Sequence, residues 1–242
     1  MKPILTFLCF LLLICPGFAK DKQPNVVLIF ADDMGYGDVS TYDAKSKIKT
    51  PHLDRLRSQG MMFTDAHSAS GVCTPSRYSL LTGRYSWRTA LKQGVLGGFS
   101  PPLIELNRLT FGNLFKQKGY ATACIGKWHL GMNWAGGKRG DQSYSMRNNS
   151  TGIDFTKPIE LGPTSKGFEY YFGISASLDM PPYVFIENNR VTVEPTSSLK
   201  QEDKGGRPGP ATPGWRHKHV MPSFADKAIE WIGKNKKKPF FV

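Results

Sequence analysis

A short apolar run near the start of the chain constrains the fold more than any other feature. Residues 25–30 form a continuous apolar stretch rich in β-branched side chains, and runs of this kind form strands that are covered on both faces. Acidic residues and glycines follow at once, in residues 31–38. Because open α/β sheets place their sites at the carboxyl ends of such strands, the pattern predicts an α/β sheet with a site just after Phe30.

The segment that follows predicts a helix and a returning strand. Thr50 is a suitable helix cap, and Pro51 is a suitable first helical residue. Leu53 and Leu56 are predicted to mark the buried face of this helix. The apolar residues at 61–64 are then predicted to return as a strand.

Periodicity and turn residues predict the remaining elements in outline. They are a short helix over residues 76–82 that ends at Gly83, a helix over 109–118, a buried strand around Cys124, a loop over 132–165, a hairpin over 183–193, a loop over 195–214 and an amphipathic helix capped by Ser223 that carries Phe224, Ala228, Ile229 and Ile232.

The first 19 residues have the features of a secretory signal peptide. Lys2 provides a positive start, residues 4–14 are apolar, and residues 17–19 suit cleavage before Lys20. The apolar run is too short to span a bilayer comfortably, although an uncleaved anchor is the alternative. We therefore expect a secreted or periplasmic protein without stable membrane insertion.

Net charge and cysteine content narrow the expected partners. The chain carries a net charge of +13, or +12 once Lys2 leaves with the signal peptide. Such a surface favours polyanions, but no nucleic-acid recognition motif accompanies it, so acidic extracellular polymers are preferred to nucleic acid. A solvated basic surface without a specific partner is the alternative.

Removal of the signal peptide would leave Cys73 and Cys124, either as one disulfide or as free thiols.

A dense motif surrounds Cys73, and three other segments accompany it. Residues 73–77 read Cys-Thr-Pro-Ser-Arg, and residues 81–84 read Leu-Thr-Gly-Arg. The other segments are Asp32-Asp33-Met34-Gly35, Thr50-Pro51-His52-Leu53-Asp54 and Gly126-Lys127-Trp128-His129-Leu130-Gly131. On these residues the chain resembles the type I sulfatase (arylsulfatase) family of the alkaline phosphatase-like superfamily, over about residues 24–242. His52 departs from the asparagine that is common in the family.

The resemblance implies an α/β fold of the alkaline phosphatase-like sandwich type, with a mostly parallel central sheet and helices on both faces. Residues 20–242 would be the N-terminal portion of the catalytic domain, with its C-terminal part absent. Phe240-Phe241-Val242 looks like the start of a buried strand, so we expect an exposed apolar sheet edge. The family's leaving-group histidine, an acidic residue with an adjacent asparagine and a second lysine would lie beyond residue 242.

The resemblance also implies a chemistry centred on Cys73, which a formylglycine-generating enzyme would oxidise to formylglycine (3-oxoalanine). The aldehyde hydrates to a diol; one hydroxyl attacks the sulfur of a sulfate ester, and loss of the other proton lets the aldehyde reform and sulfate leave. Arg77 would hydrogen-bond the diol, and Lys127 would bind the sulfate oxygens. His129 would be the base or hydrogen-bond partner of the diol.

A metal and a substrate class follow from the same resemblance. Asp32, Asp33 and the modified Cys73 would bind a hard divalent cation, Ca²⁺ rather than Mg²⁺, which would acidify the diol and polarise the sulfate. The substrate would be a sulfate ester, with sulfated polysaccharide as a candidate. Two other functions stay open: a non-catalytic anion-binding or interaction module, and a phosphate or phosphonate ester hydrolase of the same superfamily.

Each motif also has a simpler interpretation. Taken alone, Cys73 could be a buried structural thiol, and Asp32-Asp33 could be a turn or a helix cap. Lys127 and His129 could be surface residues. The pair His217 and His219 resembles a metal-binding pair, but a solvated basic loop is the favoured interpretation there.

Overall fold

A computed structural model describes residues 23–137, 152–200 and 206–242. The predicted signal peptide lies outside the described residues, as do residues 138–151 and 201–205 of the two predicted loops. Within the described part of the chain, no helix combines the length and the apolar character that crossing a membrane requires.

The described residues form four helices, two sheets and several short 3-10 turns. The helices are α1 (Pro51–Gln59), α2 (Cys73–Thr82), α3 (Phe111–Gln117) and α4 (Val220–Asn235). The strands are β1 (Ala121–Lys127), β2 (Tyr170–Ile174), β3 (Ile186–Glu187), β4 (Arg190–Val191), β5 (Ser197–Leu199), β6 (Gly209–Ala211) and β7 (Phe240–Phe241).

The main sheet has the strand order β4-β3-β2-β1-β7. Strands β2, β1 and β7 are mutually parallel, whereas β3 and β4 add antiparallel strands at one side. Residues 25–30 run beside β7 in the parallel direction, since Val26 N donates to Phe240 O at 2.8 Å and Leu28 N donates to Val242 O at 2.7 Å. The ends of β1, β2 and residues 25–30 therefore meet at one side of the sheet, which we call the carboxyl edge.

Helices cover the sheet on both faces, as predicted. Because successive strand residues point to opposite faces, Phe240 and Phe241 enter different cores. Phe240 packs with Trp231 of α4 and with the alanines of β1, whereas Phe241 stacks on Phe115 of α3 at a centroid distance of 4.2 Å. This mixed, mostly parallel architecture confirms the predicted fold class.

Several sequence predictions hold in the structure. Helix α2 ends at Gly83, which has the left-handed conformation with φ of 65° that favours glycine. Strand β1 contains Cys124, and β3 and β4 form the predicted hairpin. Cys73 and Cys124 are free thiols, so the disulfide alternative is wrong. Burial raises the pKa of Cys124 to about 12, which keeps its thiol protonated.

The predictions for residues 26–64 are the least accurate. The apolar run at 25–30 was expected to be covered on both faces, but its side chains from Val27 to Phe30 are exposed, Ile29 to 79%. Helix α1 has no buried residue, and Leu56 is 64% exposed. Residues 61–64 form no strand. The sequence predicted the right helix here, but Leu53 on the expected face is only half-buried and Leu56 is exposed.

Two other predictions fail for local reasons. Residues 195–214 were predicted as a loop, but they contain the antiparallel pair β5 and β6. Ser223 was predicted as a helix cap, but α4 begins at Val220, and the Ser223 hydroxyl donates to His219 O at 2.8 Å within the first turn. Ile229, one of the apolar residues carried by this amphipathic helix, is exposed.

Candidate active site

Helix α2 begins at Cys73, three residues earlier than predicted, and places this residue at the carboxyl edge. Thr74 and Tyr78, one turn apart, are fully buried and anchor one face of the helix. The Ser76 hydroxyl donates to Val72 O at 2.8 Å and to Ser70 O at 2.6 Å, which fixes the entry to the helix. Cys73 therefore lies in the first helical turn, where free N–H groups and the helix dipole favour an anion.

Lys127, the last residue of β1, connects the segments that form the site. Its Nζ donates to Asp32 Oδ2 at 2.7 Å, to Cys73 Sγ at 3.1 Å and to Ser177 Oγ at 3.1 Å. Only 8% of the Lys127 side chain is exposed. An ammonium group this buried requires compensation by polar partners, so its three contacts fix the geometry of the carboxyl edge.

Arg77, one turn after Cys73 on α2, completes the cationic side of the site. One guanidinium nitrogen donates to Lys127 O at 2.7 Å, and another lies 3.6 Å from Asp32 Oδ1. The guanidinium carbon also lies 5.6 Å from the centroid of the Phe30 ring. Arg77 is therefore held by the end of β1 and by the segment that follows residues 25–30.

Electrostatics leave this group of side chains with excess positive charge. Asp32 faces two cations, Lys127 and Arg77. Partial burial acts to raise the pKa of Asp32, but the hydrogen bond and charge of Lys127, together with Arg77, outweigh burial and lower it. Asp32 is thus ionised at neutral pH, and one carboxylate balances one of the two cations. The remaining positive charge beside Cys73 suits an anionic ligand.

Asp33 does not join this network within the described residues. Its side chain is exposed, it has no hydrogen bond or ion pair there, and its φ of 54° turns the backbone into the left-handed region. In the part of the chain that the structure describes, no three His, Cys, Asp or Glu side chains are grouped so that they could hold a metal ion. The carboxylate of Asp32 is engaged by the two cations instead.

His129 lies two residues beyond β1 and is completely buried. Its Nε2 is 2.6 Å from the carbonyl oxygen of Leu96; because a carbonyl only accepts, Nε2 carries the hydrogen and Nδ1 keeps a lone pair. Among the described residues, that Nδ1 is buried without a hydrogen-bond partner. Burial lowers the pKa of His129 to about 4, and Lys127 and Arg77 act in the same direction against the Leu96 carbonyl. The ring is therefore neutral at neutral pH.

The Thr74 hydroxyl ties His129 to the start of α2. Thr74 Oγ1 donates to His129 O at 2.9 Å and accepts from Leu96 N at 3.1 Å. Together with the hydrogen bond from His129 Nε2 to Leu96 O, these bonds link Thr74, His129 and Leu96 in a closed cycle. This cycle of hydrogen bonds holds His129 at its φ of 54°, which is an uncommon conformation for a residue other than glycine. The residue beside Cys73 thus fixes the position of the histidine.

Ser177 is a site residue that the sequence analysis missed. It follows β2, whose Ile174 is in register with Lys127 of the parallel strand β1, so the chain after β2 also reaches the carboxyl edge. The apolar run at residues 170–174 is a strand signal that could have placed Ser177 there.

The pair His217 and His219 is not part of this network. Both lie in a 3-10 turn before α4, and the His217 ring packs edge-on against Tyr183 at a centroid distance of 5.6 Å. Packing is therefore the role that the structure gives to His217.

Comparison with known proteins identifies the family of the chain. The sulfatase family model matches residues 24–242, which contain every element described above. The chain is similar to an N-acetylgalactosamine-6-O-sulfatase of Bacteroides thetaiotaomicron, with 42% identity over 172 residues that cover 71% of this chain and 30% of the relative. It is also 40% identical to arylsulfatase G of Mus musculus over 68% of this chain and 26% of the relative. The chain thus spans less than a third of the length of these curated relatives.

Solved structures show the same fold. A protein whose structure is described with the metabolism of multiple glycosaminoglycans by Bacteroides thetaiotaomicron superposes with a TM-score of 0.73 at 34% identity, over 91% of this chain and 50% of the other. A sulfatase from Pseudoalteromonas sp. superposes with a TM-score of 0.60 at 24% identity, over 91% of this chain and 43% of the other, and supports the fold alone. From the family match and these relatives, we conclude that the chain belongs to the sulfatase family.

Proposed function

We propose that the protein hydrolyses sulfate esters, with Cys73, converted to formylglycine, at the centre of the reaction. The observation that carries this proposal is the contact of 3.1 Å between Cys73 Sγ and Lys127 Nζ, at the start of a helix. A thiol of a merely structural cysteine would more often lie in apolar surroundings. Cys73 instead adjoins an almost buried cation, which favours the binding of an anion.

The other side chains divide the work on the substrate. Lys127 would bind sulfate oxygens with its ammonium group, and Arg77 would orient the group formed from Cys73, because its guanidinium is fixed on Lys127 O. The Ser177 hydroxyl, which accepts a hydrogen bond from Lys127, would hold the ammonium in place. Such preorganised charge, aimed at the position where charge develops, is typically the largest contribution to catalysis.

His129 would serve as the proton acceptor of the site. Its Nε2–H donates to the Leu96 carbonyl, and its Nδ1 carries a buried lone pair that has no partner in the part of the chain that the structure describes. Since burial keeps the ring neutral, this nitrogen can accept a hydrogen bond or a proton at neutral pH. Formylglycine supplies an aldehyde whose hydrate offers a hydroxyl nucleophile and an internal route for the release of sulfate.

A divalent cation fits the donor chemistry at the outer side of the site. Asp32 lies at the carboxyl edge, and Asp33 follows it in the sequence with an exposed side chain that forms no ion pair in the described residues. Carboxylate oxygens are preferred ligands of Ca²⁺. We propose Ca²⁺ rather than Mg²⁺, with Asp32, Asp33 and the modified Cys73 among its ligands. When bound, the cation would supply positive charge that polarises the sulfate. Asp32 would then exchange part of its contact with Lys127 for the metal.

The relatives favour a sulfated sugar as substrate. One is named for the 6-O-sulfate of N-acetylgalactosamine, and we propose a sulfated polysaccharide as substrate of this protein also. The proposal includes an extracytoplasmic location and modification by a formylglycine-generating enzyme, consistent with the predicted signal peptide.

A side-by-side assay tests the proposed function. The protein, co-expressed with the generating enzyme, is given an aryl sulfate and the matching aryl phosphate, with Cys73→Ala as the control. We expect faster hydrolysis of the sulfate ester and its loss in the variant. Preferential hydrolysis of the phosphate ester would instead identify the protein as a phosphoesterase. Equal rates for the parent protein and the Cys73→Ala variant would exclude Cys73 from the chemistry.

A further inference from the structure

Six lysines gather at the side of the main sheet opposite the candidate site. We call this side the amino edge, because β1 and β7 begin there. Three of the six lie next to one another, at 236–238, in the turn between α4 and β7. The complete set is Lys116, Lys118, Lys234, Lys236, Lys237 and Lys238.

The strand register brings the two lysine-bearing turns together. One turn leads from α3 into β1, and the other leads from α4 into β7. Ala121 at the start of β1 pairs with Phe240, and Ala121 N donates to Pro239 O at 2.9 Å. Adjacent strands lie about 4.8 Å apart, so Lys118 and Lys238 occupy neighbouring turns. The lysines therefore form one surface rather than two separate patches.

Most of the charge on this surface is uncompensated within the described residues. Lys234 pairs with Glu230, and Lys116 lies 3.9 Å from Glu169. In the described ranges, the other four lysines have no ion pair, and their side chains are exposed. Like charges at this density repel one another, so an anionic partner that spans the surface would relieve the repulsion.

We propose that the amino edge binds a sulfated polysaccharide chain, outside the candidate active site. The choice of this polymer among polyanions rests on the proposed function. The composition of the turns supports it, because residues 116–119 and 234–238 contain no aromatic or aliphatic side chain. Stacking on the bases of single-stranded nucleic acid needs aromatic side chains, and insertion into a membrane interface needs apolar ones.

The length of β1 separates this surface from the candidate site. The seven residues of β1, at about 3.3 Å each, place the two edges about 20 Å apart. A short sulfated sugar in the site would therefore not reach the lysines, whereas a long polymer could contact both edges. The proposed role of the surface is to retain the polymer near the site, which raises the effective concentration of its ester groups.

Retention on immobilised heparin, used as a sulfated polysaccharide probe, tests this proposal. The test variant replaces Lys236, Lys237 and Lys238 by glutamine. The control variant replaces Lys45, Lys47 and Lys49 by glutamine, since these are equally numerous, exposed and without ion pairs in the described residues. We expect the test variant to elute at clearly lower salt than the control, with a slope of log Kd against log salt reduced by about 2 to 3.

Equal elution of the two variants would overturn the proposal, because general charge would then explain the retention. It would also be overturned if the amino-edge variant lost binding to vesicles with anionic lipid while it kept its retention on heparin. Neither the heparin measurement nor the vesicle measurement needs formylglycine. A failure of the proposed hydrolysis is therefore distinguishable from a failure of polymer binding at the amino edge. Hydrolysis of a small aryl sulfate should be unchanged in both variants.

Discussion

The candidate site is built from two regions that differ in how firmly they are held. The inner region comprises α2, Leu96, residues 121–130 and strand β7, which are joined by hydrogen bonds. It supplies Cys73, Arg77, Lys127 and His129 from buried surroundings. The outer region, residues 26–63, supplies Asp32 and Asp33 from a segment whose apolar side chains are largely exposed. The cationic half of the candidate site is therefore fixed by packing, whereas the carboxylate half rests on a few polar contacts.

The contacts between the two regions are few. Backbone bonds from Val26 and Leu28 to the β7 segment align the outer region, and Asp32 reaches Lys127 and Arg77. Because the Asp32 side chain is 44% exposed, its ion pairs contribute about 1 kcal/mol or less to stability. These ion pairs therefore position the Asp32 carboxylate more than they stabilise the fold.

A pair of leucine truncations tests the comparison with the largest expected effect. Leu96 is 0% exposed, and Leu56 is 64% exposed. Leu96→Ala should reduce the free energy of unfolding by about 2 to 5 kcal/mol, since it leaves a cavity in the core. Leu56→Ala should change it by less than about 0.5 kcal/mol. Denaturant unfolding of both variants measures the difference, and similar losses would contradict the distinction between the regions.

Burial of His129 predicts a loss of stability in acid. Its folded pKa is about 4, below the usual 6.5, so the unfolded state binds the proton first. The stability it contributes is complete above pH 6.5 and is lost as the pH falls toward 4, by about 3 kcal/mol. Unfolding titrations between pH 7 and 4 check this. A matched control is His67→Gln, at an exposed position, which should keep the parent protein's slope of unfolding free energy against pH. If the unfolding free energy of the parent protein did not change between pH 7 and 4, the prediction for His129 would be contradicted.

The Thr74 hydroxyl provides a smaller and more local test of the inner region. Thr74→Val leaves the buried Leu96 N–H and His129 carbonyl without this partner, which should cost about 1 to 3 kcal/mol. Thr74→Ser keeps the hydroxyl and should recover most of that stability. If the hydroxyl positions His129, the valine variant should also shift the pH profile of hydrolysis, and the serine variant should not. Equal behaviour of the two variants would rule out a role for the hydroxyl.

Asp32→Asn should have a small effect on stability and a large effect on function. The carboxylate is half-exposed, so the free energy of unfolding should fall by less than about 1 kcal/mol. Under the proposed function, hydrolysis should fall far more than stability, because the variant removes a proposed metal ligand. Calorimetry and an aryl sulfate assay on the same preparation compare the two. A parallel loss of both would give Asp32 a structural role instead.

Local signals predicted the inner region well, because its elements depend on nearby residues. Gly83 ends α2, and β1 follows directly from its apolar run. The placement of Lys127 beside Cys73 was expected only from the family resemblance, since the two are 54 positions apart. Ser177 was missed because β2 was not predicted, and the bonds of Thr74 to Leu96 and His129 depend on tertiary packing that periodicity does not encode.

In the outer region, the sequence predicted the position of elements but not their burial. The apolar run at 25–30 leads into the acidic pair, and α1 lies where its cap predicted. Burial was wrong at Leu56 and Ile29, since burial needs a packing partner as well as an apolar pattern. The register that brings Lys238 beside Lys118 is visible only in the sheet, so the sequence pattern could not show that the amino-edge lysines share one surface.

The most direct test of the proposed chemistry at Cys73 is mass spectrometry of the tryptic peptide from Ser58 to Arg77, after co-expression with a formylglycine-generating enzyme. This peptide contains Cys73 and no internal lysine or arginine. We expect an aldehyde at residue 73, and its absence in the Cys73→Ala variant. An unmodified thiol under these conditions would contradict the proposed chemistry, whatever the anion-binding geometry around Lys127.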